Sequence, residues 1–260
     1  MSNGQLHITL IQPDIVWEDK TANLLQYEKM IAGITGPKHI VALPEMFSTG
    51  FSMAPERLAE HMSGRSVTWM AEMALKYRCI LTGSLIIEDN GKYYNRMLWV
   101  QPDGQIGYYD KRHLFAYAHE DLHYTKGETR LITQVNGWRI NLQVCYDLRF
   151  PVWARNHGDE YDVLLYVANW PEPRSLAWKT LLQARAIENQ CYVIGVNRVG
   201  KDGKDNNYTG DSSVFGPLGE MIWQQTNEVA CHTVTLEKEV IQGVRRKLPF
   251  LNDADKFILL

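Results

Sequence analysis

Short blocks of apolar residues recur along this chain, and the period within each block predicts its structure. Leu6-His7-Ile8-Thr9-Leu10-Ile11-Gln12 reads as a first strand, and the run at 139–144 alternates apolar and polar positions as strands do. The runs at 40–44 and 163–168 are apolar almost throughout, the pattern of strands buried on both faces. Further strands are expected at 79–84, 192–196 and 231–236. Residues 69–76 and 178–189 read as helices, the second with Leu181, Leu182, Ala184 and Ile187 on one face. A third helix is expected over 23–31, capped by Asp19 or Thr21. Two hairpins are expected, one over 93–109 turning at Pro102-Asp103-Gly104 and one turning at Gly216-Pro217-Leu218-Gly219. These strands outnumber what one open sheet normally carries, so the pattern predicts an α/β protein with two packed sheets covered by helices.

Three polar residues follow predicted strands: Glu45 after Val41-Ala42-Leu43-Pro44, Lys111 after Ile106-Gly107-Tyr108-Tyr109-Asp110, and Cys145 after Asn141-Leu142-Gln143-Val144. Strand ends commonly border the ligand cleft of a sheet flanked by helices. Taken singly, each has an ordinary reading: a solvated carboxylate, a surface ammonium, a buried core cysteine. Together they supply a nucleophile, a base and a cation for a growing oxyanion. Pro151 suits the first turn of a helix that Trp153-Ala154-Arg155-Asn156 can continue. A thiol at that corner would face unpaired backbone N–H groups and a positive helix end, both of which favour thiolate.

Composition narrows the classes. The chain has 260 residues, 45% hydrophobic and 22% charged, with no linker-like stretch, so one domain over 1–260 is expected. A net charge of −3, with Arg245-Arg246-Lys247 as its one compact basic run, argues against nucleic-acid binding. Cys79, Cys145, Cys191 and Cys231 form no CxxC pair, which fits a reducing, cytoplasmic setting. Met1-Ser2-Asn3-Gly4-Gln5 lacks signal-peptide character, and no apolar run approaches the roughly 20 residues of a membrane span. Gly195 and Gly200 make no phosphate-binding fingerprint, so no nucleotide cofactor is expected. His119-Glu120-Asp121-Leu122-His123 matches H-E-x-x-H, the zinc-peptidase pattern. That pattern needs a long helix and a third ligand; Gly127 follows closely and no third ligand stands at a suitable spacing, so no metal is expected. His113 reads as a packed or hydrogen-bonded residue, and Arg185 with Glu188 as a structural ion pair on a helix.

Leu43-Pro44-Glu45-Met46-Phe47, Tyr109-Asp110-Lys111-Arg112-His113-Leu114 and Val144-Cys145-Tyr146-Asp147-Leu148-Arg149-Phe150-Pro151 resemble the three signature blocks of the nitrilase superfamily of carbon–nitrogen hydrolases. Residues 183–190 and Gly210-Asp211-Ser212-Ser213 resemble two further blocks, and the similarity runs from about residue 5 to about residue 255. The resemblance implies a four-layer α-β-β-α sandwich and a Glu-Lys-Cys triad of Glu45, Lys111 and Cys145. It also implies a second glutamate that positions the substrate amide and the base. Glu120 is its match, in a segment, Phe115-Ala116-Tyr117-Ala118-His119-Glu120, that departs from the commoner Phe-Gly before the Glu.

Within the superfamily the segments around His119-Glu120 and Asn169-Trp170-Pro171 resemble bacterial ω-amidases, which hydrolyse the side-chain amide of 2-oxo-dicarboxylate monoamides such as 2-oxoglutaramate. The implied partner is then a small amide that also carries a carboxylate. The backbone N–H of Tyr146 would help Lys111 hold the oxyanion, Asn169 and Trp170 would wall the pocket, and Arg149 and Arg174 are candidates for the substrate carboxylate. No cofactor is implied. The family forms dimers, and the apolar end of residues 250–260 is expected to pack onto the body or a neighbour. A nitrilase, an N-carbamoyl hydrolase and an amidase for deaminated glutathione share the same chemistry and stay open, as does a catalytically silent binding protein.

Overall fold

The computed structural model describes residues 4–258. Residues 1–3, part of the N-terminal segment read above, and Leu259 and Leu260 of the apolar tail lie outside the described residues. Two mixed sheets form the centre. The first contains β1 (Gln5–Gln12), β2 (Ile40–Ala42), β3 (Ile80–Asp89), β4 (Lys92–Val100), β5 (Ile106–Asp110) and, at its other edge, β13 (Ala230–Glu237). The second contains β6 (Ile132–Val135), β7 (Trp138–Val144), β8 (Val163–Val167), β9 (Tyr192–Val196), β10 (Val199–Lys201), β11 (Asn207–Phe215) and β12 (Met221–Thr226). In each sheet the middle strands run parallel, β1-β2-β3 and β7-β8-β9, and the outer ones antiparallel.

Alternation along the strands sorts side chains into layers. Ile40 and Ala42 of β2, with Leu6, Ile8 and Leu10 of β1, join a core shared with Ile140, Leu142 and Val144 of β7. Val41, between them, points the other way and packs with Leu24, Tyr27 and Ile31 of helix Lys20–Ala32 and Val67, Met70 and Ala74 of helix Arg65–Tyr77. Helix Ser175–Asn189 covers the second sheet through Trp178, Leu182 and Ala186. The layers are therefore helices, sheet, sheet, helix, as the resemblance implied. All of β8 is buried, in keeping with its unbroken apolar run.

The differences from the sequence reading are local. Asp19 caps the first helix by accepting from Ala22 N at 2.9 Å, which settles the choice between Asp19 and Thr21. β3 runs past Ser84 to Asp89 and turns back through Asn90 and Gly91, whose φ values of 54° and 75° give the mirror-image turn that suits a twisted hairpin. β6, β10 and helix Lys238–Lys247 were not anticipated. The helix expected from Pro151 ends at Ala154, because Asn156 spends its side chain on Glu160 N, Tyr161 O and Asn189 O instead of continuing the turn. In the tail, Leu251 is buried and Phe257 lies against His157, while Ile258 is exposed. No helix among the described residues is long and apolar enough to cross a membrane.

β7 and β8 are parallel and in register, with Val144 beside Val167, so the chain leaves both strands at the same end of the sandwich. At the other end of β7, Asp162 accepts from Arg139, Lys238 and Arg245 and ties the Lys238–Lys247 helix to the second sheet. Burial opposes its ionisation, but Arg139 and Lys238 prevail and hold the carboxyl down at about 2.

Two stability outcomes follow from these contacts. A Cβ on Gly195 of β9 would lie 2.5 Å from Leu182 and 2.7 Å from Trp178, so G195A should cost about 1–3 kcal/mol in urea unfolding. Because the folded Asp162 carboxyl sits below its ordinary 3.8, its contribution is complete above that value and disappears as pH falls towards 2. D162N should therefore lose about 2 kcal/mol at neutral pH, with the gap to the unaltered protein closing in acid.

Candidate active site

Chain segments leaving β2, β5, β7 and β8 meet at one end of the sandwich. After β2, Leu43 N still pairs with Thr82 O at 2.8 Å, and Phe47 N reaches Ser84 O at 3.1 Å, so the turn carrying Glu45 is stitched to β3. Glu45 is fully buried. Its Oε1 accepts from Lys111 Nζ at 2.8 Å and Asn95 Nδ2 at 2.7 Å, and its Oε2 accepts from Asn169 N at 2.8 Å. Lys111 Nζ also donates to both oxygens of Glu120, at 3.0 and 2.9 Å. Phe115 N donates to Glu120 Oε2 at 2.6 Å.

One ammonium thus joins two carboxylates away from water. Burial alone would discharge Lys111, but Glu120 and Glu45 outweigh it and keep the ammonium firmly protonated, above its usual range. Burial, aided by Glu45, raises the Glu120 carboxyl against the pull of Lys111.

Cys145 sits at the end of β7 with φ of 45°, a left-handed conformation that sharply redirects the backbone. A five-residue 3₁₀ turn, Cys145–Arg149, follows, and a four-residue helix comes after it. Arg185, which pairs with Glu188 as expected, also donates to Leu148 O at 2.6 Å and steadies this turn. The thiol is half-buried and points towards Asn169 O at 3.9 Å. The expectation of a thiolate favoured by a helix dipole fails. Elements this short carry little dipole, and burial followed by the Glu45 carboxylate pushes the thiol well up, with Lys111 opposing.

A cavity of about 280 Å³ opens over the sulfur. Glu45, Lys111, Cys145, Tyr146, Arg149, Asn169, Trp170 and Arg174 all line it. Trp170 is held by Asn197 through its backbone N–H and by Arg174 O through its indole N–H. The Arg149 guanidinium lies over the Trp170 ring at 4.9 Å, and that of Arg174 over Phe115 at 5.3 Å. Among the described residues neither guanidinium has a carboxylate partner. Glu120 does not line the cavity. It was expected to position both a substrate amide and the base; its oxygens are engaged by Lys111, Asn95 and Phe115 N, one layer behind the cavity, and it shares Lys111 and Asn95 with Glu45.

The carbon–nitrogen hydrolase family model matches residues 7–246. The chain belongs to that family. It is 46% identical over 256 residues to the ω-amidase YafV of Escherichia coli (strain K12), covering 98% of both chains. It is 32% identical over 253 residues to a 2-oxoglutaramate amidase of Bacillus subtilis (strain 168), covering 96% of this chain and 97% of that one. The crystal structure of XC1258 from Xanthomonas campestris, a CN-hydrolase superfamily protein with an arsenic adduct in its active site, matches with a TM-score of 0.96 at 42% identity, covering 98% of this chain and 99% of that one.

The H-E-x-x-H segment of this carbon–nitrogen hydrolase has the wrong shape for a zinc peptidase. Its helix is one turn, Glu120–His123, and His119 precedes it in a left-handed conformation with φ of 62°. That backbone is one glycine adopts freely, which accounts for the Gly of the commoner pattern at this place; His119 adopts it here with a Cβ. His113 stacks on Phe150 at 3.8 Å and bonds Asp147, a packed role as expected.

Two groups escaped the sequence reading. Asn95 donates to both Glu45 and Glu120 and is oriented by Ser84 Oγ at 2.7 Å. Asp147 anchors the turn after Cys145. The sequence signal for Asp147 was its place two residues past the cysteine, and Asn95 had none beyond a polar position in a strand.

The electrostatics give a test. E45Q removes the carboxylate that raises the Cys145 thiol and leaves Lys111, which lowers it. Peptide-resolved alkylation of Cys145 by iodoacetamide should then move to lower pH than in the unaltered protein. An unchanged profile would show that Glu45 does not govern the thiol.

Proposed function

We propose that the protein is an ω-amidase that hydrolyses the side-chain amide of 2-oxo-dicarboxylate monoamides, such as 2-oxoglutaramate and 2-oxosuccinamate, to the 2-oxo acid and ammonia. The observation that carries this reading is the buried Glu45–Lys111 contact of 2.8 Å at the base of the cavity into which Cys145 opens. The likeness to an ω-amidase and a 2-oxoglutaramate amidase over nearly the whole chain supports the substrate class.

In the proposed sequence the Cys145 sulfur attacks the amide carbon while Glu45 accepts the thiol proton. A raised thiol makes this transfer, concurrent with attack, the natural route. Lys111 and the backbone N–H of Tyr146 hold the oxyanion. Glu45 returns its proton to the nitrogen, the C–N bond breaks, and ammonia leaves a thioester on Cys145. Water then attacks, Glu45 takes its proton, and the acid departs as that proton returns to sulfur. Glu120 keeps Lys111 charged and aimed. Arg149 and Arg174, each laid on an aromatic ring and without a carboxylate partner among the described residues, suit the distal carboxylate through paired N–H bonds. Free thiols at Cys79, Cys145, Cys191 and Cys231 support a cytoplasmic location. A homodimer belongs to the same proposal, and light scattering that finds only monomer would contradict it.

Ammonia release on a panel of 2-oxoglutaramate, glutamine, a nitrile and an N-carbamoyl amino acid should favour 2-oxoglutaramate. C145A should be inactive with a near-native fold. Equal or faster turnover of the nitrile would remove the ω-amidase reading. R149M and R174M should raise KM for 2-oxoglutaramate by about tenfold or more while sparing amides without a carboxylate.

A further inference from the structure

We propose that Asp147 is a positioning residue that fixes the Cys145 thiol against Lys111. The inference rests on the reading of Cys145 as nucleophile and adds a part that reading does not use. Asp147 is fully buried and accepts from four donors. Its Oδ2 takes Val144 N at 2.9 Å and Tyr109 OH at 2.8 Å. Its Oδ1 takes His113 N at 3.0 Å and pairs with His113 Nδ1 at 2.8 Å. Val144 immediately precedes Cys145. Tyr109 and His113 stand two residues on either side of Lys111. A single carboxylate therefore clamps the backbone on the approach to the sulfur to both flanks of the ammonium.

The clamp matters because the backbone at Cys145 is unfavourable by itself. A left-handed conformation at a residue with a Cβ persists only when its surroundings over-determine it. A local cap of the 3₁₀ turn would need only the Val144 contact. The three contacts to Tyr109 and His113 belong to another strand end, across the gap between the two sheets, and a cap alone does not explain them.

The donor pattern also demands a carboxylate. The Tyr109 oxygen already accepts from Trp153 Nε1 at 2.9 Å and Arg112 N at 3.2 Å, which directs its own proton to Asp147. Val144 N and His113 N can only donate. An asparagine at 147 would set its NH₂ against a donor whichever way the amide turned.

D147N and Y109F are measured beside D162N, which cuts an equally enclosed carboxylate at the far end of β7. The expected result is a kcat for D147N lower by about 100-fold with KM changed by less than about threefold, since a small displacement of reacting groups costs rate rather than binding. The alkylation profile of Cys145 moves at the same time towards that of an ordinary exposed thiol. Y109F removes one donor and gives a smaller change of the same kind; it decides the matter if D147N does not accumulate folded. D162N loses thermal stability and keeps both kcat and profile.

The proposal is overturned if D147N or, failing it, Y109F keeps kcat and the profile, or loses activity only as the folded fraction falls. Absence of ammonia release from 2-oxoglutaramate by the unaltered protein would sink the ω-amidase reading alone, because the alkylation profiles would still decide the role of Asp147.

Discussion

The site depends on one ammonium shared by two carboxylates out of reach of water. Lys111 Nζ meets Glu45 and Glu120 within 3.0 Å, and all three side chains are buried. Removing such charges from solvent is costly unless each remaining lone pair finds a donor. Here Asn95, Asn169 N and Phe115 N supply those donors, each from a different stretch of chain. The charged cluster of Glu45, Lys111 and Glu120 is thus inseparable from the loops around it. Loss of Lys111 would leave two enclosed carboxylates facing each other without compensation, whereas loss of either carboxylate leaves the ammonium one partner.

The sandwich makes this gathering possible. Parallel middle strands release their chains at one end, and the two sheets bring Glu45 and Lys111 from one side against Cys145 and Asn169 from the other. Aromatic faces hold the two guanidinium groups at the cavity that Cys145 also lines. A cationic rim held by stacking has less freedom left to lose than side chains left loose in water.

Much of this was legible in the chain. Strands such as β8 and β9 could be read because unbroken apolar runs have few alternatives in a buried sheet. Glu45, Lys111 and Cys145 each had an ordinary reading alone and stood out only together, by their shared place just past predicted strands and by the resemblance of the blocks that carry them. Asn95 was hidden because a polar side chain inside an alternating strand looks like any outward-facing one. Its meaning depends on the β3–β4 register, which sets Asn95 opposite Ile86 and near Ser84. Asp147 was hidden because its partners, Tyr109 and His113, are more than thirty residues away. The thiolate expectation failed because it weighed helix geometry and left out burial. The Asn90-Gly91 hairpin was legible and overlooked, its dipeptide being a strong turn signal.

A sulfur kept protonated by its surroundings has a protective side. Peroxides and other oxidants attack sulfur chiefly as thiolate, so a suppressed ionisation slows the slide to sulfenic and sulfinic acids. The same burial and the same Glu45 carboxylate that raise the thiol thus also disfavour its oxidation-prone form. In the proposed reaction the proton leaves only as a carbonyl carbon accepts the electron pair, so the exposed anion need never accumulate.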